Sequence, residues 1–216
     1  MKFSDQLNSL TADVFAKAST DYGSAVEAMR KVIQDSVILG SAPRAGQVFP
    51  LFSLPDANGS IVSASELLKR GPLVVAFYRG GWCPFCNLEL NALQLALPEI
   101  NARGGSLVAI SPQTPERSAE TARLSRLSFH LLIDRGNLFA RELGLVYRLP
   151  AVMQTDYQKK GLLLPAINGD DSWELPIPAT YLVGQDGVIV DAFLDADFYH
   201  RKDPQELVEE LRKLAH

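Results

Sequence analysis

Apolar positions recur along this chain with two periods, and the switches between them lay out its elements. In the first 38 or so residues, Leu7, Leu10 and Val14, then Val26, Met29, Ile33 and Val37, fall at helical spacing. That predicts two amphipathic helices, separated at Asp21-Tyr22-Gly23, with Gly40-Ser41-Ala42-Pro43 as a linker. Phe49–Leu54 and Ile61-Val62 flank Asn58-Gly59, a hairpin turn, and Ser63-Ala64-Ser65-Glu66 has the form of a capping box opening a short helix. Unbroken apolar runs at about 73–78, 107–110 and 129–133 read as buried strands. Helical patterns separate them: about 84–101 with Leu88, Leu93, Leu95, Leu97 and Ile100, about 115–126 behind Thr114-Pro115-Glu116, and 137–143 closed by Gly144.

The segment from Leu145 to Pro178 is a long excursion rich in Pro, Gly and Asp, with one helix expected at about 151–160 and ended by Gly161. Long connections of this kind are often lids or binding loops. Thr180–Val183 and Val188–Val190 then pair across Asp186-Gly187, and Asp203-Pro204-Gln205-Glu206 opens a last helix. Strands alternating with helices, closed by a hairpin and a helix, predict an α/β fold with a mixed central sheet. Residues 1–43 are expected to form a helical hairpin and linker, packed on the main domain or serving as a dimer arm, and residues 44–216 the domain itself.

Composition narrows the function. A formal charge of −4 and a pI near 5.4 argue against nucleic acid or an anionic membrane as partner. No run approaches the roughly 18 apolar residues of a membrane span. The opening Met1-Lys2-Phe3-Ser4-Asp5-Gln6 lacks the apolar stretch of a signal peptide, so a cytosolic protein with reduced thiols is the expectation.

Both cysteines lie in Tyr78-Arg79-Gly80-Gly81-Trp82-Cys83-Pro84-Phe85-Cys86, directly after a strand and before a helix. A helix N-terminus presents unpaired N–H groups and a positive dipole end, which favour thiolate over thiol. Pro84 suits the first helical position, Cys83 the cap, and Cys86 the same face one turn inside. A structural disulfide closing so short a loop would add little stability. Zinc needs four ligands, and His130, His200 and His216 are far off in sequence; haem attachment needs His where Asn87 stands. No metal and no cofactor is expected, and the pair reads as a redox site.

The order of elements and these motifs resemble the thioredoxin-fold superfamily. More closely, they resemble its peroxiredoxin-like branch, the alkyl hydroperoxide reductase/thiol-specific antioxidant family. The carrying residues are Gly46–Pro50 with Asn58-Gly59, Gly71–Tyr78 running into the cysteines, Ser111-Pro112-Gln113, Ile133-Asp134 and Ala179–Val183 before Asp186-Gly187. The likeness spans about residues 44–198 and implies a thioredoxin-like fold and an antioxidant thiol chemistry. The departures are specific. Against the family's Pro-x-x-x-Thr-x-x-Cys, Cys86 falls on the peroxidatic position, Cys83 on the threonine and Arg79 on the proline. Where relatives carry an arginine before the late strand, this chain has Pro178, which in thioredoxin-like proteins is cis and faces the Cys-x-x-Cys.

Two enzymatic cycles follow from the resemblance. In one, a thiolate attacks a hydroperoxide and the second cysteine condenses with the sulfenic acid. In the other, Cys83 attacks a protein or small-molecule disulfide and Cys86 resolves it. Register favours Cys86 as attacker of peroxide, whereas exposure and helix position favour Cys83, to which the reading leans. Either cycle needs a thioredoxin-like or small-thiol reductant, and the family likeness makes a homodimer an expectation. A redox sensor that switches a partner surface is the reading from another class. Around the cysteines, Arg79 is a thiolate or peroxide ligand or an exposed strand-end residue. Trp82 is a shield or plain packing. Thr180 is a substrate contact or a strand residue. Tyr199, His200 and Arg201 are site neighbours or a helix-entry loop.

Overall fold

A computed structural model describes residues 1–18, 20–35 and 38–214. The chain runs through α1 (Phe3–Ala16), α2 (Thr20–Asp35), the short α3 (Ile38–Ser41), the hairpin β1 (Ser53–Pro55) and β2 (Ile61–Ser63), α4 (Ala64–Leu68) and β3 (Leu73–Phe77). It continues through α5 (Pro84–Ala102), β4 (Ser106–Ser111), α6 (Pro115–Leu124), β5 (His130–Ile133) and α7 (Leu138–Glu142). Then follow β6 (Val146–Arg148), α8 (Ala151–Lys159), α9 (Leu164–Asn168), β7 (Glu174–Pro176), β8 (Ala179–Val183), β9 (Ile189–Leu194) and α10 (Pro204–Leu214).

The central sheet has five strands in the order β5-β4-β3-β8-β9. β3, β4 and β5 are parallel, and β8 and β9 join antiparallel. The α/β fold with a mixed sheet flanked by helices is therefore as the pattern predicts. β3 lies in the middle, and its alternate side chains enter two different cores. Leu73, Val75 and Phe77 pack with Phe49, Phe139 and Tyr181, while Val74, Ala76 and Tyr78 pack with α5, α10 and the N-terminal helices. Burial of each large apolar side chain contributes about 1.5–3 kcal/mol, so β3 is a firm base for the loop that leaves it.

Several local expectations are corrected. Asp21-Tyr22-Gly23 does not separate the two helices; it lies within the first turn of α2. Tyr22 is buried, and packing of that side chain outweighs the helix-weakening Gly23. Gly40 and Ser41 belong to α3 rather than to a linker. Val37 and His216 lie outside the described residues. The capping box at residues 63–66 does not form, since the Ser63 hydroxyl pairs with Ser65 Oγ at 2.8 Å instead of with the helix backbone. The cap at Thr114 does form: its Oγ1 accepts from Arg117 N at 3.4 Å.

The first two helices join the main core. Phe3, Leu7, Ala25, Val26, Met29 and Ile33 share one apolar cluster with α5, and the Tyr147 hydroxyl donates to Met29 Sδ at 3.5 Å. The 145–178 excursion holds more structure than its composition suggests. Besides α8, at the expected place, β6 and β7 pair antiparallel with Tyr147 opposite Leu175. No helix among the described residues is long and apolar enough to cross a membrane.

Candidate active site

β3 ends at Phe77, and the loop after it turns at Gly80, whose φ of +148° few other residues adopt. A side chain at Gly80 would strike the Trp82 indole, and one at Gly81 would fall on Thr121 of α6. Gly81 is held at both ends: its N–H donates to Gln113 Oε1 at 2.8 Å, and its carbonyl accepts from Asn87 Nδ2 at 2.7 Å. The loop thus delivers Cys83 as the cap residue of α5, with Pro84 in the first position and Cys86 in the first turn.

Both sulfurs are reduced and wholly buried, which corrects the expectation that Cys83 is exposed. The loop folds inward because Arg79 comes with it. Arg79 is 2% exposed, and its Nη2 donates to Cys83 Sγ at 3.1 Å. The guanidinium lies over two rings, with its central carbon 4.0 Å from the centre of Phe198 and 5.2 Å from that of Trp82. Its Nε and Nη1 have no hydrogen-bond partner among the described residues.

Cys86 meets a second arginine. Arg201 Nη2 stands 3.6 Å from Cys86 Sγ, while Arg201 Nε donates to Glu89 Oε2 at 2.7 Å. Arg201 Nη1 donates to the Phe198 and His200 carbonyls. Glu89 Oε1 accepts from the Thr180 hydroxyl at 3.2 Å. A chain of polar contacts therefore runs from β8 through α5 to the residues ahead of α10, and its side chains are all buried.

These charges split the two thiols. Burial alone pushes Cys83 up, but the hydrogen bond from Cys86 and the charges of Arg79 and Arg201 outweigh it, and Cys83 lies well below the ordinary thiol value. Burial, the hydrogen bond to Cys83 and the charge on that sulfur drive Cys86 well above it, against the two arginines. The surroundings thus favour the anion on Cys83 over the anion on Cys86. Burial also keeps Tyr22, Tyr147 and Tyr157 above the usual phenol value, although Arg79 pulls each of them down. These three hydroxyls come from α2, β6 and α8, so the N-terminal helices and the 145–178 excursion together wall the sulfurs. Trp82 completes the wall, packing edge-on against Tyr157 at 5.5 Å.

Two thiols one turn apart at a helix start, one of them beneath an arginine, can together give up two electrons and close a disulfide. The AhpC/TSA family pattern matches residues 45–192. The chain belongs to the AhpC/TSA family. It is 33% identical over 122 residues to the chloroplastic peroxiredoxin Q of Populus jackii, a match covering 55% of this chain and 57% of that one. It is 30% identical over 101 residues to peroxiredoxin Bcp of Escherichia coli strain K12, covering 47% and 64%. This AhpC/TSA chain thus aligns with between about half and two thirds of the length of such relatives. Among solved structures, the fold superposes on peroxidoxin BcpB of Mycobacterium tuberculosis with a TM-score of 0.62, at 22% identity, over 79% of this chain and 97% of that one.

The residues expected at the site of this family member fall into three groups. Arg79, Trp82, Cys83 and Cys86 converge. Thr180 reaches the site only through Glu89. Pro178 is buried beside the end of β3, since Ala179 pairs with Phe77, but every peptide bond among the described residues is trans, so the expected cis bond is not there. Its preceding Ile177 follows β7 and donates its N–H to the Leu145 carbonyl at 2.7 Å. Arg201 moves from helix-entry loop to sulfur contact. His200 turns away: its Nδ1 lies 2.9 Å from Asp195 Oδ2 at the surface. Sequence reasoning misses Glu89, Tyr147 and Tyr157. For Glu89 a signal exists, a carboxylate on the buried face of a helix three residues past Cys86.

Proposed function

We propose that this protein is a thiol-dependent peroxidase that reduces hydrogen peroxide or small organic hydroperoxides through a Cys83–Cys86 dithiol/disulfide cycle. The observation that carries the reading is the 3.1 Å contact from Arg79 Nη2 to Cys83 Sγ, with Cys86 in the same first turn of α5. The family register would give the attack to Cys86, and the contact with Arg79 favours Cys83.

In this cycle the Cys83 thiolate attacks one peroxide oxygen and the O–O bond breaks. The departing oxygen takes a proton and leaves as water or an alcohol, and Cys83 becomes a sulfenic acid. Arg79 Nε and Nη1, which lack partners, can donate to the peroxide oxygens as charge builds on the leaving one. The Cys86 sulfur, giving up its proton, then attacks the Cys83 sulfur. Hydroxide leaves with that proton as water, and the disulfide closes. An external thiol, small or thioredoxin-like, restores both cysteines. A reducing compartment such as the cytosol suits this cycle.

Disulfide exchange is the second reading, favoured by the Cys-x-x-Cys at a helix start where relatives carry threonine. Full burial of both sulfurs counts against it, because the reduced site must open before a protein disulfide can reach either one. Peroxide consumption with excess dithiothreitol separates the two. The peroxidase consumes one peroxide per dithiol, far faster than dithiothreitol alone, and Cys83→Ser abolishes the difference. Consumption no faster than that of dithiothreitol alone, with rapid reduction of insulin disulfides, would reverse the assignment.

A further inference from the structure

Among the described residues the Cys83 sulfur is the one hydrogen-bond partner of the buried Arg79 guanidinium, and no carboxylate pairs with it. The ionisable groups that act on it most strongly are Cys83, Tyr157, Tyr147 and Cys86. Arg201, the other guanidinium at the site, differs: it keeps Glu89 at 2.7 Å whatever becomes of the sulfurs. The charge of Arg79 is therefore offset by an anion on sulfur or by none. A disulfide carries no such anion, and a buried charge left without its partner favours any arrangement that admits water.

What lies over Arg79 is lightly held. The Phe198 ring covers the guanidinium at 4.0 Å, and Phe198 belongs to the irregular segment 195–200 between β9 and α10. The hydrogen bonds of this segment stay within it or go to Arg201. Asp197 N donates to Asp195 Oδ1, His200 N donates to the Asp197 carbonyl, and the Phe198 and His200 carbonyls accept from Arg201 Nη1. Its ties to other elements are the packing of its rings, Phe198 and Tyr199 on Phe85 and Tyr199 on Phe15, and an Asp197–Arg30 pair at 3.8 Å. The other surroundings of Arg79 are fixed: Gly81 is pinned at both ends, and Tyr22, Tyr147 and Tyr157 sit on α2, β6 and α8. Outside Tyr199, His200 and Arg201 lies a cleft of about 370 Å³ against α1, which gives the segment room to shift.

We infer that segment 195–200 is a redox-controlled gate, closed over Arg79 while Cys83 is reduced and lifted once the Cys83–Cys86 disulfide forms. The inference rests on the disulfide cycle proposed above. Closing the S–S bond passes two electrons to the oxidant, the Cys86 proton goes to the reduced oxidant, and neither sulfur keeps a charge. Arg79 then exchanges the Phe198 ring for water, with Arg201, held by Glu89, as the fixed end of the moving segment. The site thus opens to the reductant when there is a disulfide to reduce. Reduction restores the anion on Cys83 and draws the segment back.

The test compares reduced protein with the disulfide form prepared by diamide and confirmed by mass, so it does not depend on peroxide as the oxidant. Each form is treated briefly with chymotrypsin. Cleavage after Phe198 or Tyr199 needs the segment lifted, and its rate tracks the opening equilibrium. The expected result is cleavage there at least about tenfold faster in the disulfide form, as release of a buried unpaired charge implies, with cleavage elsewhere unchanged. Arg79→Lys keeps the charge and should keep the contrast, whereas Arg79→Met removes the charge and should abolish it. Equal cleavage of the two forms of the unmodified protein overturns the inference, and that comparison stands even if a variant does not fold. A contrast that survives in Arg79→Met also overturns it, because the charge would not be the trigger. Failure of the diamide-prepared protein to open sinks the gate alone, while failure to react with peroxide sinks the peroxidase reading alone.

Discussion

Arg201 and Glu89, 112 residues apart in sequence, form an ion pair of 2.7 Å whose two side chains are 2% and 3% exposed. It ties the segment ahead of α10 to the first turns of α5, and its remaining N–H groups reach Cys86 Sγ and two backbone carbonyls. Glu89→Ala leaves a buried guanidinium without its carboxylate partner, a loss that typically costs about 3–5 kcal/mol. The expected outcome is a large fall in the unfolding midpoint in urea. A change below about 1 kcal/mol would show that the pair opens to water.

The hydrogen bond from Cys86, with the charges of Arg79 and Arg201, holds Cys83 below the ordinary thiol value against burial. A thiol whose folded value is depressed keeps its charge to lower pH than a free thiol and loses it as pH falls through that value. The rate of Cys83 alkylation by iodoacetamide should therefore inflect at a lower pH than that of a free thiol. Reduced-state stability contributed by the thiolate is present above the ordinary thiol value and is lost as pH falls through the depressed one. Arg79→Met removes the hydrogen bond and the nearer charge, moves the inflection to higher pH, and lowers the rate at pH 7 about tenfold for each unit by which the inflection passes above that pH. An unmoved profile in that variant would assign the effect to Cys86 and Arg201.

Met29 carries the N-terminal helices into the core. It is fully buried and accepts the Tyr147 hydroxyl. Met29→Ala should destabilise the whole protein by about 2–5 kcal/mol in a single cooperative transition. Local melting of α1 and α2 with the sheet intact, seen by hydrogen exchange, would make those helices an independent arm.

Gly81 has no room for a methyl group because Thr121 fills it. Gly81→Ala should cost about 1–3 kcal/mol, and adding Thr121→Ala, which removes both the hydroxyl and the methyl that a Cβ at Gly81 would strike, should recover some of it. Urea midpoints of the two variants check this, and equal midpoints would show that the loop, not α6, gives way.

What was legible in the sequence follows from range. The strands at 73–77, 106–111 and 130–133 and the helix behind Cys83 are set by local runs and by Pro84, so periodicity places them. Arg79 and the cysteine pair lie within one short loop and the helix turn after it, and their convergence is local. Arg201 reaches Cys86 across 115 residues, and no pattern near either one announces it. The tyrosine wall is assembled from α2, β6 and α8 in the same non-local way. At Tyr22 burial overrules a turn-like sequence. Function-bearing burial is the hardest feature to read, because an arginine in sequence looks like surface.

In the proposed cycle Cys83, not Cys86, attacks peroxide. Reduced protein, Cys83→Ser and Cys86→Ser are each mixed with hydrogen peroxide in a stopped-flow instrument, following tryptophan fluorescence, since Trp82 adjoins Cys83, and the products are weighed by mass spectrometry. Rapid oxidation proportional to peroxide in the unmodified protein, its loss in Cys83→Ser, and a sulfenic acid on Cys83 in Cys86→Ser are the predicted results. Rapid oxidation surviving in Cys83→Ser, with the sulfenic acid on Cys86, would contradict the account and return the attack to the position the family register assigns.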